Sequence, residues 1–446
     1  MNKKNIKDFG AIADGVTLCT KAIHQAIATC ETEGGGTVFV PAGRYLTGSI
    51  LMKSHINLHL DAGATLIFSN NPDDYPIIYS RWEGAEQDNY AACIYGNQLE
   101  NIAITGQGTL DGNGAFWWEL VRAKKKQVPR PKLISFDQCS KILIDGITLI
   151  NSPSWTINPI RCENVKVNGI TLINPKNSPN TDGINPESCR NVHISNCHIN
   201  VGDDCITIKS GTEAAQERIP CENVVITNCT MLHGHGGVVL GSEMSGDIRN
   251  IVISNCIFEG TDRGIRFKSR RGRGGIVEDI RVSNIIMKDV FCPFVINLYY
   301  FCGPQGKDEY VWSKKPYPIT EETPTFRRIH FANVTAREVK AAAGFIYGLA
   351  ENYIEDVTFD QVSIHLASDS EPELPAMMAG IEPMTKRGFF CGNVRDITFN
   401  HVTIDNHEGP AFHMQNSEKV SYFNCKSKNV APDTTLVYDE PTHPDE

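Results

Sequence analysis

The sequence lacks an apolar run long enough to cross a bilayer, which excludes a membrane-spanning helix. It also lacks an excess of basic residues: 42 Lys and Arg stand against 52 Asp and Glu. The resulting net charge of −10 argues against nucleic acid and anionic membranes as partners. The fifteen cysteines form no CxxC pairs of the zinc-binding type. Their odd number and their scatter predict reduced, buried thiols without a disulfide framework.

The N-terminus carries Lys3 and Lys4 but lacks the apolar stretch that would follow them in a secretory signal peptide. Because the chain passes straight into a glycine-bounded segment, we expect a cytoplasmic protein, the alternative being that a signal peptide has been removed from the sequence given.

What the sequence does contain is a repeat. From about residue 100 onward, polar pairs introduce short stretches of alternating apolar and polar residues, which predict strands with one buried face. Many neighbouring repeats lie 23 to 32 residues apart, which is too short for a propeller blade of ~40 residues. Helical solenoids are excluded because the repeats show no sustained helical periodicity, so each repeat suits one turn of a parallel β-helix. The repeats begin at Asn101-Ile102, Lys141-Ile142, Asn164-Val165, Asn191-Val192, Asn223-Val224, Asn250-Ile251, Asp279-Ile280, Arg328-Ile329, Asp356-Val357, Asp396-Ile397 and Lys419-Val420.

Three of these repeats share a segment that ends in Asn-Cys, at Ile194–Cys197, Ile226–Cys229 and Ile253–Cys256. Equivalent positions in a parallel β-helix lie directly above one another. We therefore expect the cysteines to form an interior column and the asparagines to form a turn column whose amides hydrogen-bond along the stack.

Residues 1–100 differ from the repeats, since Thr20–Cys30 has helical apolar spacing and strand signals follow at 37–40, 56–60 and 65–68. An open β-helix end must be covered, so we expect a short N-terminal capping helix and the first turns there. Residues 101–434 form the predicted body, and the polar residues 435–446 predict a flexible tail. The expected fold is all-β, a single-domain parallel β-helix.

Polar motifs lie on neighbouring turns, at Asn180–Ile184, Gly202–Gly211, Gly234–Ser242 and Asp262–Ser269. We aligned these motifs on their apolar positions, with Ile184, Ile206, Val238 and Ile265 level. The alignment places Lys209 in the same column as Lys268.

The same alignment places Asp182 in a column with Asp204, and Asp203 in a column with His235. Stacked parallel strands lie ~4.8 Å apart, so these four side chains are expected to form one compact surface cluster. Asp203 and Asp204 can face the same side only where the backbone bends, which Gly202 permits.

Three carboxylates so close together cannot all ionise independently, because like charges raise at least one pKa. One protonated and one ionised carboxyl group are what glycoside hydrolysis requires. The same aspartates could instead hold calcium, although His235 would be a poor ligand for that ion. Zinc is disfavoured because the nearby thiols are expected in the interior.

Residues 263–273 carry six basic side chains on this acidic chain. They form either a solvated loop or a clamp for carboxylated sugars, which Arg binds with two parallel hydrogen bonds. The position of the segment, one turn beyond His235, favours the clamp. Tyr300, on the following turn, is a candidate sugar platform. The six basic residues are Arg263, Arg266, Lys268, Arg270, Arg271 and Arg273.

The motifs resemble those of the polygalacturonase family of glycoside hydrolases, family 28. They stand here as Asn180-Thr181-Asp182, Asp203-Asp204, Gly234-His235-Gly236 and Arg266-Phe267-Lys268. The resemblance implies a right-handed parallel β-helix. Lys209-Ser210-Gly211 and the Arg-rich segment are similar to the exo-acting bacterial branch.

This resemblance implies that Asp203 is the general acid, that Asp182 and Asp204 hold and activate water, and that His235 supports the acid. It also implies inversion with no metal or other cofactor. Asn185 departs from the pattern, because the family often has Asp there and an amide is neither acid nor base. The side chains expected to contact the substrate are Asn180, Lys209, Arg266, Lys268, Arg271, Arg273 and Tyr300.

The implied activity is hydrolysis of α-1,4-galacturonide bonds in polygalacturonate or its oligomers, from the non-reducing end. Residues 81–84, 113–131 and 301–326 could form the walls that exo action requires. Alternatives are a hydrolase of rhamnogalacturonan or xylogalacturonan, a calcium-dependent pectate lyase with an arginine base, and a non-catalytic carbohydrate-binding β-helix. The expected partner is a pectic saccharide, and the sequence leaves the oligomeric state open.

Overall fold

A computed structural model describes residues 2–124, 128–303, 305–431 and 434–440. Strand accounts for 53% of the chain and helix for 7%, which confirms the all-β class. The chain divides into two compact units, Met1–Thr207 with Cys221–Thr230, and Ile208–Pro220 with Met231–Glu446. In the described part of the chain, no helix is both long and apolar enough to cross a membrane.

The strands up to Ile208 are β1 Lys3–Asn5, β2 Asp14–Leu18, β3 Gly36–Val40, β4 Gly43–Thr47, β5 Ile50–Leu51, β6 Ile56–Leu60, β7 Ala64–Phe68, β8 Ile77–Trp82, β9 Ala85–Tyr90, β10 Ile94–Asn97, β11 Glu100–Gly106, β12 Thr109–Asp111, β13 Ile134–Asp137, β14 Ser140–Asp145, β15 Thr148–Ile150, β16 Ile157–Ile160, β17 Glu163–Asn168, β18 Thr171–Ile173, β19 Arg190–Ser195, β20 His198–Val201 and β21 Ile206–Ile208. The later strands are β22 Cys221–Thr227, β23 Thr230–His233, β24 Val238–Gly241, β25 Ile248–Glu259, β26 Arg263–Lys268, β27 Ile276–Lys288, β28 Cys292–Asn297, β29 Thr325–Val339, β30 Ala342–Tyr347, β31 Ile354–Leu366, β32 Arg387–Asn400, β33 Thr403–Asp405, β34 Glu408–Phe423, β35 Lys426–Lys428 and β36 Val437–Glu440. The helices are α1 Thr20–Thr32, α2 Ala115–Arg122 and α3 Glu309–Trp312, and 3-10 turns cover Ile6–Phe9 and Pro72–Asp74.

In the first unit, the apolar positions of successive repeats pair in parallel register. Ile102, Ile142, Val165, Val192 and Val224 form one such column. All five side chains are buried, and each contributes about 1.5–3 kcal/mol of hydrophobic free energy relative to an exposed position. The column confirms the predicted parallel β-helix in this unit.

The second unit repeats the arrangement on its own strands. Ile251, Ile280, Ile329, Val357 and Ile397 pair in parallel register and are buried. Period-2 alternation therefore identified the interior face correctly in both units.

The first residue of each predicted repeat has a left-handed backbone, with φ between 52° and 59° at all eleven positions. Six of the eleven residues are not Asn, so the turn at the start of each repeat imposes the left-handed conformation, and asparagine only lowers its steric cost. In the first unit, the Asn223 amide donates to Asn191, and the Asn228 amide donates to Asn196. The second of these bonds confirms the predicted asparagine column there.

The predicted interior cysteines Cys197, Cys229 and Cys256 are all buried. Across the chain, every cysteine except Cys302 and Cys425 is buried. Burial in an apolar interior raises the pKa of a thiol such as Cys391, which keeps it protonated and unreactive.

The N-terminal helix is present as predicted. α1 buries Ala22, Ile23, Ala26 and Ile27, the residues whose spacing predicted it. Within residues 1–100, where the first turns were expected, β1 already pairs in parallel with β3. At the other end, Val437–Glu440 pairs with β34 within the segment expected to be a tail, and 441–446 lie outside the described residues.

An antiparallel hairpin interrupts the parallel pattern of the first unit, where β8 pairs with β9. It includes the residues 81–84 that were expected to form a wall. Arg81 is fully buried and its guanidinium lies 2.9 Å from the Glu86 carboxylate and 3.5 Å from that of Glu187. Because both carboxylates are also almost fully buried, these ion pairs fix the hairpin in one position on the unit.

Candidate active site

Asp203 and Asp204 lie in a bend between β20 and β21, as the sequence predicted. The bend approaches a neighbouring turn so closely that a Cβ on Gly202 would lie 2.6 Å from the Pro175 carbonyl oxygen. The backbone amide of Asp204 donates to the Asp203 carboxylate at 2.9 Å. Glycine at 202 is therefore required by close packing of the backbone, and the bend lets both aspartates face one side.

Asp182 lies one turn earlier. Ile184 and Ile206 pair in parallel, and the Gly183 amide donates to the Asp204 carbonyl at 3.0 Å. This register confirms the column that the alignment predicted for Asp182 and Asp204. In the second unit, Val238 pairs with Ile265, which is the other half of the same alignment.

The three carboxylates form one compact cluster, with one oxygen of each within 4.8 Å of those of the others. Asp182 is 3% exposed and Asp204 is 1% exposed, whereas Asp203 is partly open to solvent. At this separation the charges repel strongly, so one proton is readily shared by the group. The accessible Asp203 is the member best placed to meet a substrate.

Asn185 has a role that the sequence did not reveal. Its amide is fully buried and donates to the Asp182 carboxylate at 3.0 Å. A hydrogen bond of this kind favours the ionised form of a carboxyl group. The neutral amide thus holds Asp182 in place without adding a fourth negative charge to the cluster.

Arg130 is the second residue that the sequence analysis missed. Its guanidinium donates to the carbonyls of Pro153 and Pro179 and to the Asn180 side chain, at 2.6, 2.5 and 3.2 Å. Burial lowers the pKa of Arg130 to about 10, against the opposing charges of nearby carboxylates, first that of Glu83 and then those of Asp182 and Asp203. The group is therefore charged at neutral pH, and it places a cation beside the cluster while fixing Asn180.

The same aspartates could hold a metal ion by distance alone. Two neighbours disfavour this reading: the Asn185 amide already occupies an oxygen of Asp182, and Arg130 supplies positive charge near Asp182 and Asp203. A divalent cation would be repelled by Arg130, whereas a protonated carboxyl group would not.

In the second unit, His235 is half-exposed and its Nδ1 lies 2.7 Å from the Asp262 carboxylate. Burial alone would raise the pKa of Asp262, but its hydrogen bond with His235 and the charge of Arg263 outweigh burial and lower it. An ionised Asp262 fixes the ring orientation and favours a proton on Nδ1. Asp262 was not assigned a role from the sequence, because only the fold brings it to His235.

Arg266 and Lys268 lie on β26 in the second unit, and both are almost fully buried. The Arg266 guanidinium carbon lies 5.8 Å from the Tyr300 ring centre, and the Lys268 Nζ lies 5.2 Å from it. Three of the predicted substrate contacts are thus grouped by the structure. Cations packed on an aromatic face form a surface suited to an acidic sugar.

Lys209 belongs to the second unit, where its Nζ lies 3.2 Å from the Glu243 carboxylate. Burial opposes ionisation of Glu243, but Lys209, Arg273 and Lys268 outweigh it and lower its pKa to about 2. Glu243 therefore balances the charge of a buried cation group, and the sequence had given it no role.

This group predicts a specific pH dependence of stability. The Glu243 carboxylate ionises near pH 4.5 when unfolded and near pH 2 when folded, so its stabilisation is complete above pH 4.5 and lost by pH 2. The Glu243→Gln variant should be less stable than wild type at neutral pH. Denaturant titrations should show this difference shrinking as the pH falls from 4.5 towards 2, and a constant difference would contradict the assignment.

The remaining arginines of the basic segment are held by protein groups. Arg271 is fully buried and binds Glu351 through two hydrogen bonds of 2.6 and 2.8 Å. Arg270 and Arg273 both contact Glu213. These ion pairs favour structural roles for Arg271 and Arg273 over the sugar contacts expected from the sequence.

Two further segments were expected to form walls. In the first unit, 113–131 contributes α2, which buries Trp117 and Trp118, and its residues 125–127 lie outside the described part of the chain. In the second unit, 301–326 contains α3, and its Tyr310 and Ser313 carbonyls accept hydrogen bonds from Arg271. Residue 304 also lies outside the described residues.

The chain matches glycosyl hydrolases family 28 over residues 30–378. It is 35% identical over 379 residues to a probable polygalacturonase of Vitis vinifera, covering 82% of this chain and 75% of that protein. It is 30% identical over 333 residues to an endo-polygalacturonase of Pectobacterium carotovorum subsp. carotovorum, covering 70% and 79%.

Among solved structures, a hyperthermoactive exopolygalacturonase from Thermotoga maritima superposes with a TM-score of 0.74 at 32% identity. The superposition covers 82% of this chain and 87% of the other. The polygalacturonases of known structure that resemble this chain are right-handed β-helices, which confirms the predicted fold class. The protein is thus an enzyme, and the chain belongs to glycosyl hydrolases family 28, the polygalacturonase family.

Proposed function

We propose that the protein hydrolyses α-1,4-galacturonide bonds of polygalacturonate or oligogalacturonides by inversion, releasing residues from the non-reducing end. The observation that carries this proposal is the cluster of Asp182, Asp203 and Asp204 within 4.8 Å. Asp203 donates a proton to the leaving oxygen, and Asp182 with Asp204 activates water. Arg266 and Lys268 bind a galacturonate carboxylate, and His235 supports the protonation of the acid.

The carboxylates are closer than the ~6.5–9.5 Å usual in inverting enzymes, with oxygens within 4.8 Å of one another. Separation alone would favour retention, in which a carboxylate attacks the sugar. Asp182 and Asp204 are 3% and 1% exposed, however, so the sugar ring cannot approach their oxygens directly. The family resemblance implies a single displacement by water, and the burial of both carboxylates, which keeps them from a direct attack on the sugar, agrees with that course.

Proton NMR during the first turnovers tests the stereochemistry. Inversion of an α bond should release the β anomer of the new reducing end before mutarotation mixes the two forms. Initial release of the α anomer would mean retention, and one of the buried aspartates would then have to act as the nucleophile.

Chromatography of products tests the substrate and the mode of attack. With chelator present, wild-type enzyme should release monogalacturonate from both trigalacturonate and polygalacturonate from the earliest times. The fixed β8–β9 hairpin supports an exo mode, because exo enzymes need a barrier beside the cleavage site. A mixture of oligomers would indicate an endo enzyme. An unsaturated product that forms in a parallel incubation without chelator, and is absent with it, would indicate a lyase.

A further inference from the structure

Asn185 is held from two sides by the neighbouring strand β16. Its backbone amide donates to the Ile157 carbonyl at 2.7 Å, and its backbone carbonyl accepts from the Asn158 side chain at 2.7 Å. The first bond belongs to ordinary parallel pairing, whereas the second depends on which residue stands at 158. Asn158 therefore helps to fix the main chain of the residue whose side chain binds Asp182.

Lys132 determines which way round the Asn158 amide lies. The Lys132 Nζ donates to the Asn158 Oδ1 at 2.6 Å, and also to the Arg81 carbonyl at 2.8 Å. An ammonium group can only donate hydrogen bonds, so it must face the oxygen of the amide. The Asn158 Nδ2 is consequently directed to the Asn185 carbonyl. An ionised aspartate at 158 could still accept from Lys132 but could not donate to Asn185.

The same argument orients the Asn185 side chain. An ionised Asp182 can only accept, so the Asn185 Nδ2 faces it and the Oδ1 faces away. That Oδ1 is buried and makes no hydrogen bond to the residues that the structure describes. A buried acceptor without a partner lowers stability. Side chains that break a local rule in this way are typical of functional sites, so the contact with Asp182 is the reason for an amide here.

The hydrogen bonds from Lys132 to Asp182 lie within the first unit and are shielded from solvent. The exposed fraction is 6% for Lys132, 0% for Asn158 and for Asn185, and 3% for Asp182. Hydrogen bonds are electrostatically stronger in such an environment than in water. A change at one member of the series is therefore transmitted to the next.

We propose that the series of hydrogen bonds from Lys132 through Asn158 and Asn185 holds the Asp182 carboxylate in the orientation that activates water. The inference rests on the proposed hydrolysis and adds residues to it. Lys132, Asn158 and Asn185 act through Asp182, so all three are positioning residues. Asn185 supplies the contact, Asn158 fixes its main chain, and Lys132 fixes the Asn158 amide.

Charged groups on other elements also act on Asp182. The carboxylate oxygens of Asp203 and Asp204 lie within 4.8 Å of it, and the Arg130 guanidinium opposes their charge. The Cys205 thiol is fully buried, and burial raises its pKa, so that it stays protonated. Substitutions within the series leave these groups in place. A change in the titration of Asp182 consequently reports on the series itself.

Asn158→Asp tests the middle of the series without changing the size of the side chain. Lys132 would bind the new carboxylate, so thermal unfolding should resemble that of wild type, but the donor to Asn185 is lost. Misplacement of a base lowers the rate of the chemical step, so kcat on trigalacturonate should fall about tenfold or more, with KM changed by about threefold at most. Asn164→Asp is the matched control, because this exposed oxygen accepts from Asn191 and can still do so. It should retain wild-type kcat and KM.

Asn185→Asp tests the contact with Asp182 itself. The variant removes the amide donor and sets a carboxylate against a carboxylate, so the pair shares a proton. The acid limb of the pH profile of kcat should move up by about one pH unit or more. A loss of packing alone would instead lower kcat equally at every pH.

Carbon-13 NMR of the aspartate carboxyl groups measures the same titration without catalysis. The Asp182 resonance is identified by its absence in Asp182→Asn, and its midpoint should rise by about one pH unit or more in Asn185→Asp. An unchanged midpoint, or wild-type kcat in both Asn158→Asp and Asn185→Asp, would overturn the inference. Absence of oligogalacturonide cleavage by wild-type enzyme would overturn the proposed function instead, and the NMR titration would still decide whether Asn185 holds Asp182.

Discussion

Replacing Asp203 with Asn is expected to lower kcat by on the order of 10²–10⁴-fold, the usual contribution of a general acid. The amide cannot protonate the leaving oxygen, although it keeps the shape of the side chain. Because Asp203 is the accessible member of the cluster, the change should leave folding intact. Initial rates of monogalacturonate release from trigalacturonate at several pH values would measure the loss.

Asp73→Asn is a matched control, since it makes the same chemical change at an exposed aspartate far along the chain. It should retain wild-type rates. The double variant of Asp203 and Asp204 should lose little more than the more damaging single change, because groups that act in one step are not additive. Wild-type activity in Asp203→Asn would remove Asp203 from the mechanism and transfer the acid role to Asp182 or Asp204.

Replacing Arg271 with Met is expected to destabilise the protein by about 3–5 kcal/mol, the cost of breaking a buried ion pair from one side. Arg271 is fully buried, and the side chain of its partner Glu351 is 5% exposed. The variant would leave the Glu351 carboxylate buried without its counter-charge. Thermal and denaturant unfolding would show the loss, with enzyme activity per folded molecule largely retained.

Arg395→Met supplies the comparison on the same unit. Arg395 pairs with Glu355 and Glu418 on the surface, with its side chain 38% exposed. Exposed pairs of this kind contribute about 0–1 kcal/mol, so the control should unfold nearly as wild type does. If Arg271→Met instead kept full stability and raised KM, the guanidinium would be a substrate contact, as the sequence first suggested.

Much of the fold could be predicted because a β-helix repeats one local rule. Alternation placed Ile102, Ile142 and Val165 on the inner face, and the structure pairs them in register. The same rule aligned Ile184 with Ile206, which was enough to bring Asp182 and Asp204 to adjacent turns. A prediction of this kind succeeds because each position is fixed by the strand next to it, one turn away in sequence.

The number of charges in the basic segment was not enough to predict the roles of its arginines. Six basic side chains in residues 263–273 predicted a sugar clamp. In the structure, Arg271 instead forms an ion pair with Glu351, and Arg270 and Arg273 form ion pairs with Glu213. Both carboxylates come from loops, 57 to 80 residues away from their arginines. No periodic pattern relates such loops to the strands, so the sequence could not pair the charges.

By itself, the sequence determined the repeat, the inner face of the strands, the turn on which each motif lies and the grouping of three aspartates. The reason is that parallel strands in register convert spacing along the chain into spacing in the fold. Only the tertiary structure decided which side chains surround that group. Asn185 reaches Asp182 and Arg130 reaches Asn180 from irregular segments, and Asp262 orients His235, through contacts made by side chains rather than by strand pairing. Such contacts depend on rotamers and loop paths, which no periodicity in the sequence encodes.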